Sequence, residues 1–310
     1  MDLNQCGRSG FYLSAIGLGT LTWGRDTDGP EALEMLTHFV DAGGNFVECS
    51  ASHGDGMAVD VLSEAMTSVG RHRVVVAWRG GVRRAADGNW VGAAGRGDLL
   101  RSLDDALARL DTDYVDAWMV EPRVDVPLAE TLEAASLAYR SGRARYVGVS
   151  RASHWQLAEA VTRGELGACA PITLVEFPFS LANAACARTV SELSARGIGV
   201  VAASALAGGA LTGKYRHTTP ADSRAASPHL RHTVEPYLAG PARAVIEAAS
   251  RAGAGLERST GDVALAWVRD YPGVSTALVG PRTVRQLDAL LDCSDPLPAP
   301  IRQVLSEVAQ

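Results

Sequence analysis

Five apolar runs of this chain lead straight into an ionisable residue: Asn45-Phe46-Val47 into Glu48, Val74 to Trp78 into Arg79, Trp118-Met119-Val120 into Glu121, Val147 to Ser150 into Arg151, and Leu174-Val175 into Glu176. His53 follows the first run closely. Carboxylates and guanidiniums brought together by strand ends form a set suited to moving protons and holding anions. If Glu121 and Glu176 are desolvated beside one another their pKa values rise, so one can act as acid or base. An imidazole titrating at about 6.5 donates or accepts at neutral pH without help, which makes His53 an acid/base candidate. Arg79 stays charged at any useful pH and offers a planar fork, either to Glu48 or to a substrate carboxylate, phosphate or enolate. Plainer readings stand beside these. Glu48 with Arg79 also reads as a buried ion pair, and a lone histidine as a satisfied polar residue. Glu48, His53, Glu121 and Glu176 have the ligand types for a divalent cation, but no HxH or HxxE spacing supports a metal and two guanidiniums oppose one. Trp23 and Trp90, with Trp78 and Trp118, fall on or beside these strand ends and are candidates for an apolar substrate wall. For Trp78 and Trp118 core packing accounts equally well.

The elements that must position these residues alternate. Eight short apolar runs, Ala15 to Thr20, Phe46 to Glu48, Val74 to Trp78, Tyr114 to Val120, Tyr146 to Val149, Ile172 to Val175, Gly199 to Ser204 and Ser275 to Gly280, are separated by stretches of helical spacing such as Glu31 to Ala42 and Leu128 to Arg140. Strands apolar on both faces and alternating with helices make a parallel sheet covered by helices, and eight units favour closure into a (β/α)8 TIM barrel. No strand is followed by the GxGxxG turn of an open dinucleotide-binding sheet. In such a barrel all strand C-termini share one mouth, where Glu48, Arg79, Glu121, Arg151 and Glu176 would meet. Residues 1–310 are expected to form one domain. The stretches Gly80 to Gly97 and Tyr215 to Leu238 follow no motif and are read as specificity loops.

Composition narrows the partners. A net charge of −6 with both signs interspersed leaves no basic stripe for nucleic acid or an anionic membrane. The polar start Met1 to Gly10 lacks a signal-peptide core, and Ile198 to Leu211 is too short and Gly/Ala-rich to span a bilayer. A cytoplasmic protein acting on a small molecule is expected; oligomeric state is not readable. Five widely spaced cysteines, Cys6, Cys49, Cys169, Cys186 and Cys293, read as buried thiols.

Several segments resemble the aldo-keto reductases. Gly7-Arg8-Ser9-Gly10 and Ser14 to Thr20 look like that family's N-terminal β-hairpin and first strand, Asp41 to Phe46 like the approach to its second strand, and Gly142 to Ser150 like its fifth. Leu206-Ala207-Gly208-Gly209-Ala210-Leu211-Thr212-Gly213-Lys214-Tyr215 is similar to the loop that wraps the cofactor pyrophosphate, and Gly280 to Leu287 to the segment taking the adenosine 2′-phosphate. The resemblance implies an NADP(H) site made by Ser150, Phe179, Ser204, Leu206, Gly208, Lys214, Arg282, Thr283 and Gln286, with Phe179 stacking on the nicotinamide ring. Glycines suit close backbone approach to a diphosphate, and an arginine beside a helix start suits a phosphate. The family places acidic and asparagine side chains on the adenine where this chain has Ala289 and Leu290.

The catalytic end departs from the family. By position Glu48 stands for its aspartate, His53 for its tyrosine, Arg79 for its lysine and Glu121 for its histidine, while Arg151 and Glu176 replace the asparagine and glutamine of the nicotinamide clamp. Three readings follow. The first is an aldo-keto-reductase-fold enzyme performing acid/base chemistry, such as dehydration, isomerisation or cyclisation, in specialised metabolism. Here His53 and Glu121 move protons, Glu48 and Arg79 complete the catalytic set, and Arg151, Glu176, Trp23 and Trp90 bind a substrate that is anionic if an arginine holds it. The second is NADPH-dependent reduction of C=O or C=C with His53 or Glu121 in place of tyrosine. The third is a non-catalytic NADP(H)-binding regulatory protein.

Overall fold

The computed structural model describes residues 1–292 and 295–309. Twelve strands are present among them: β1 (Leu3–Gln5), β2 (Tyr12–Ser14), β3 (Ile16–Gly19), β4 (Phe46–Ser50), β5 (Val75–Gly80), β6 (Val82–Arg84), β7 (Trp90–Gly92), β8 (Val115–Val120), β9 (Ala144–Ser150), β10 (Ile172–Pro178), β11 (Gly199–Ala203) and β12 (Val274–Val279). Eight close a parallel barrel in the order β3-β4-β5-β8-β9-β10-β11-β12 and back to β3. The helices are α1 (Gly29–Asp41), α2 (Ala58–Val69), α3 (Arg96–Arg109), α4 (Leu128–Arg140), α5 (His154–Glu165), α6 (Ala187–Ala195), α7 (Pro241–Leu256), α8 (Thr260–Arg269), α9 (Val284–Leu291) and α10 (Ala299–Val308). This is the (β/α)8 barrel expected, with the β1–β2 hairpin at its N-terminal end.

The alternation of side chains along each strand sorts two cores. Val47, Val76, Trp78, Trp118, Val147, Val175 and Val200 face outward onto the helices, whereas Phe46, Ala77, Ala117, Met119, Leu174 and Val201 fill the barrel, joined at its base by Cys6, Phe11 and Leu13 of the hairpin. Helix α1 shows why the outer layer forms. Asp28 caps it by accepting from the Glu31 N–H at 3.0 Å, a proline opens its first turn, and Ala32, Met35, Leu36, Phe39 and Val40 make one buried stripe. Each large side chain so buried contributes roughly 1.5–3 kcal/mol of transfer free energy.

Strands β4, β5 and β10 run two to three residues further than their apolar runs suggest, which carries Glu48, Arg79 and Glu176 inside the barrel rather than leaving them at its lip. The loop after β5 folds into the β6–β7 hairpin, and residues 215–238 form short 3-10 turns. Cys6 and Cys49 are buried thiols; Cys169 and Cys186 are only half-buried, and Cys293 lies outside the described residues. No helix among the described residues is long and apolar enough to cross a membrane.

Candidate active site

Glu48, Arg79 and Glu176 stand two residues beyond Phe46, Ala77 and Leu174 on their strands, so the period of two points them into the barrel axis above the inner core. Their relative exposures are 3, 7 and 2%. His53, 2% exposed, enters from a tight turn just after β4. With Arg151 and Arg224 these residues line a mouth cavity of about 130 Å³ whose remaining wall includes Leu21, Pro178, Ala203 and Leu278.

Arg79 organises the cluster. Its Nη2 donates to His53 Nε2 at 2.9 Å, its Nε lies 3.3 Å from Glu48 Oε1, and its Nη1 lies 3.6 Å from Glu176 Oε1. A guanidinium can only donate, so His53 Nε2 accepts and the ring proton sits on Nδ1, which donates to Thr20 Oγ1 at 3.1 Å. Burial and the charges of Arg79 and Arg151 hold His53 well below its ordinary pKa. The histidine is therefore neutral at pH 7 with its inner nitrogen already engaged. This revises the expectation that His53 is the acid/base group.

The titrating pair is Glu48 with Glu176, not Glu121 with Glu176. Burial raises the Glu176 pKa to about 7, reinforced by the charge of Glu48 and offset by Arg79, Arg151 and the hydroxyl of Ser150, which donates to Glu176 Oε1 at 3.0 Å. Burial also raises Glu48, against the pull of Arg79. One guanidinium between two buried carboxyls cannot fully compensate both charges, so burial pushes the titration of the pair upward. Glu176 Oε2 has no hydrogen-bond partner.

Other expected residues fall elsewhere. Glu121 sits just past β8, part-exposed and outside the cavity wall, with Arg151 Nη1 3.9 Å from its Oε1. Trp23 is fully buried in the outer core. Trp90, on the β6–β7 hairpin, donates from Nε1 to Asp55 Oδ1 at 2.8 Å, stacks under Arg84 and lines a separate groove against α3. Neither tryptophan walls the mouth. Phe179 does not face the mouth either: fully buried, it packs against Trp267 and Tyr271, with ring centroids 5.5 and 4.9 Å apart. β10 ends at Pro178 and the Phe179 N–H donates to the Ala203 carbonyl, which turns the ring under α8. No aromatic side chain among the described residues lines the mouth cavity.

A second cavity, of about 330 Å³, adjoins the first and shares Ser204, Arg224, Leu278, Val279 and Gly280 with it. Leu206, Gly208, Gly209, Lys214, Arg282 and Gln286 also line it. Gly208 and Gly209 have φ of 65° and 99°, and a Cβ on Gly208 would stand 2.7 Å from the Thr233 carbonyl oxygen, so this turn requires glycine and keeps backbone exposed to the cavity. Arg224, half-buried, donates to the Gly280 carbonyl at 2.6 Å; burial and the nearby charge of Arg282 pull its pKa below the ordinary value. Lys214, Arg224 and Arg282 crowd a wall whose one carboxylate among the described residues, Asp262, is engaged by Arg258, an arrangement that suits a polyanion, so the phosphate end of a dinucleotide fits this cavity. The nicotinamide end fits less well: Ser150 is tied to Glu176, and the aromatic face is missing. Thr283 caps α9 by accepting from the Gln286 N–H at 3.3 Å and stands outside the cavity, while the Val284 N–H donates to Glu31 at 2.6 Å. The helix start thus has fewer free donors than its sequence suggested. Arg224 and Thr20 were not anticipated from sequence. Arg224 lies in a stretch without a motif, and Thr20 is a strand-end hydroxyl like many others. No group of three or more His, Cys, Asp or Glu side chains among the described residues could hold a metal ion.

The closed eight-fold barrel carries its ionisable side chains at the C-terminal mouth, the face on which barrels of this fold carry their active sites, with a glycine-rich cationic cradle beside them. Comparison with known proteins assigns the family. The Aldo/keto reductase family profile matches residues 15–303, and the chain belongs to that family. It is 28% identical to a probable voltage-gated potassium channel subunit beta of Oryza sativa subsp. japonica, over 99% of this chain and 95% of that protein. It is also 28% identical to the uncharacterized oxidoreductase YrpG of Bacillus subtilis, over 93 and 89%. The structure of aldo-keto reductase AKR11C1 from Bacillus halodurans, in holo form, superposes with a TM-score of 0.81 at 21% identity, covering 100% of this chain and 97% of that one.

Proposed function

We propose that this protein is an enzyme of acid/base chemistry on a small molecule, of the dehydration, isomerisation or cyclisation class, with Glu48 and Glu176 as the proton-transferring pair. The observation that carries this is Glu176 itself: buried on the wall of the mouth cavity, pushed up to about 7 and with Oε2 unpartnered. A carboxyl poised there gives a proton to a carbonyl or departing hydroxyl oxygen and, as carboxylate, takes one from an adjacent carbon. Arg79 stabilises whichever carboxyl is charged, and His53, fixed by Thr20, holds Arg79 in place. NADP(H) is proposed to lie along the second cavity, its phosphates on Lys214, Arg224 and Arg282; when bound it supplies hydride chemistry. One relative carries the name oxidoreductase, which is in keeping with this placement.

A second reading, NADPH-dependent reduction with the carboxyl pair as proton source, is favoured by the shared wall between the two cavities. One experiment separates the two. A panel of small carbonyl compounds is incubated with the protein and NADPH in D2O, with deuterium incorporation followed by NMR and NADPH by absorbance. The acid/base reading expects exchange or elimination without NADPH consumption, lost in Glu176→Gln. NADPH consumed one-for-one with reduced product, and no exchange, overturns it in favour of the second reading.

A further inference from the structure

The mouth is positive although the chain is not. Across a protein of net charge −6, this one cavity is lined by Arg79, Arg151 and Arg224 against only Glu48 and Glu176. His53 adds no charge, its Nε2 being the acceptor from Arg79. The three guanidiniums are not equivalent. Arg79 is committed to His53, Glu48 and Glu176, and Arg224 is tied to the Gly280 carbonyl on the side facing Arg282. Arg151 is the most exposed of the three, and its side chain acts on Glu48 and Glu176 only through its charge. That side chain is 56% exposed, and the nearest carboxylate to it among the described residues, that of Glu121, lies 3.9 Å away, beyond hydrogen-bond length.

The backbone keeps Arg151 at this place. It has a φ of 52°, a left-handed conformation disfavoured for a side chain of this kind, and its N–H donates to the Glu176 carbonyl at 3.1 Å. The Cα of Arg151 is thereby anchored beside Glu176 while a long cationic arm borders the same cavity. An exposed arginine with no hydrogen-bonded carboxylate among the described residues, next to a buried carboxyl pair, is a partner for a substrate anion, because a planar fork engages a carboxylate or phosphate with two parallel bonds. The cavity is small, about 130 Å³, the lesser of the two that adjoin.

Resting on the acid/base reading of the mouth, we propose that the substrate is a small anion, its carboxylate or phosphate held by Arg151 at the rim and its reacting carbons placed over Glu176. Arg151 is on this view the residue that selects for charge. Saturation-transfer NMR titrations test it with 2-oxobutyrate as the carboxylate probe, dihydroxyacetone phosphate as the phosphate probe, and butanone and dihydroxyacetone as their uncharged counterparts. At least one anion should bind about tenfold or more tightly than its counterpart, and the pair showing the advantage identifies the headgroup. In Arg151→Gln, folded by its melting curve, the advantage should vanish. Equal binding of charged and uncharged probes, binding of neither anion, or an advantage that survives Arg151→Gln overturns the proposal. Glu176→Gln should keep the anion advantage. If it does so while wild type shows no proton exchange, the acid/base reading fails and the charge selection stands.

Discussion

Arg79 Nη2 donates to His53 Nε2 across 2.9 Å, and that one contact sets the protonation of the buried histidine. Since the guanidinium has no lone pair to offer, Nε2 must keep its own, and the ring proton goes to Nδ1 and Thr20. The nitrogen NMR shifts of His53 should report the neutral Nδ1–H tautomer without titration from about pH 8 down to about pH 5. In Thr20→Val the Nδ1 proton loses its acceptor, at a cost of about 1–3 kcal/mol for the unsatisfied donor. A histidine titrating at its ordinary pKa would contradict the network.

The carboxyl pair makes an opposite prediction. Glu176 is raised in the folded state to about 7, so the folded protein binds a proton that the unfolded chain, at its ordinary 4.5, does not. Stability from this group is present below pH 4.5 and is lost as pH rises towards 7. His53 works the other way: its lowered pKa means the unfolded chain gains a proton below about 6.5 that the folded state refuses, so stability falls on acidification. The wild-type profile mixes both, and difference profiles separate them. Relative to Glu176→Gln, wild type should gain stability on going from pH 7 to 4.5; relative to His53→Gln, it should lose stability below 6.5. Urea denaturation across this range reads both slopes.

Removing the bridge is harsher than removing either end. Arg79→Met leaves Glu48 and Glu176 buried with no cation between them, and breaking a buried ion pair from one side typically costs about 3–5 kcal/mol. The carboxyls can partly escape by protonating, so the loss should be greater at about pH 8 than at about pH 5.5. Arg79→Lys keeps a charge but not a fork that reaches three acceptors, and should fall between wild type and Arg79→Met in the same denaturation curves.

How much of this was legible in the sequence depended on what each residue's neighbours made visible. The barrel was, because parallel strands buried on both faces leave unbroken apolar runs, and eight of them recur between amphipathic stretches. Helix α7 was not: its buried stripe of Ala242, Val245, Ile246, Ala249 and Gly253 is largely of small residues, which carry little periodic signal. At the site, the five charged positions pointed to the right mouth but not to the right pairing. Backbone pairing continues past the last apolar residue of β4, β5 and β10, so Glu48 and Glu176 lie inside the barrel with Arg79, while Glu121 falls just outside β8 and stays part-exposed. Where a strand stops is decided by its partner strand, which no local pattern contains.

The second cavity makes a graded prediction about nucleotide. Arg282 and Lys214 line it beside the glycine turn, and neither forms an ion pair with a carboxylate among the described residues. Titration with NADPH, followed by its fluorescence, should show saturable binding. Arg282→Ala and Lys214→Ala should each weaken it by roughly tenfold or more, and added salt should weaken wild type progressively. Gly208→Val should act differently, since its Cβ meets the Thr233 carbonyl and φ is positive, so the turn must shift and binding fall without loss of any charge. An affinity indifferent to all three substitutions would place the nucleotide elsewhere or nowhere.

Phe179 provides the sharpest contrast between packing and cofactor contact. Its ring is fully buried against Trp267 and Tyr271, so Phe179→Ala should cost about 3–5 kcal/mol through lost contacts and the cavity left behind. It does not line either cavity, and NADPH affinity in the folded variant should stay within about twofold of wild type. The converse holds at Ala203, the last residue of β11, whose carbonyl accepts from the Phe179 N–H and which lines the mouth. Ala203→Trp introduces a ring there, and should change nicotinamide fluorescence on binding while leaving the core under α8 intact. If Phe179→Ala instead quenched that fluorescence change and left stability alone, the ring would be stacking on the cofactor and not holding β10 to α8.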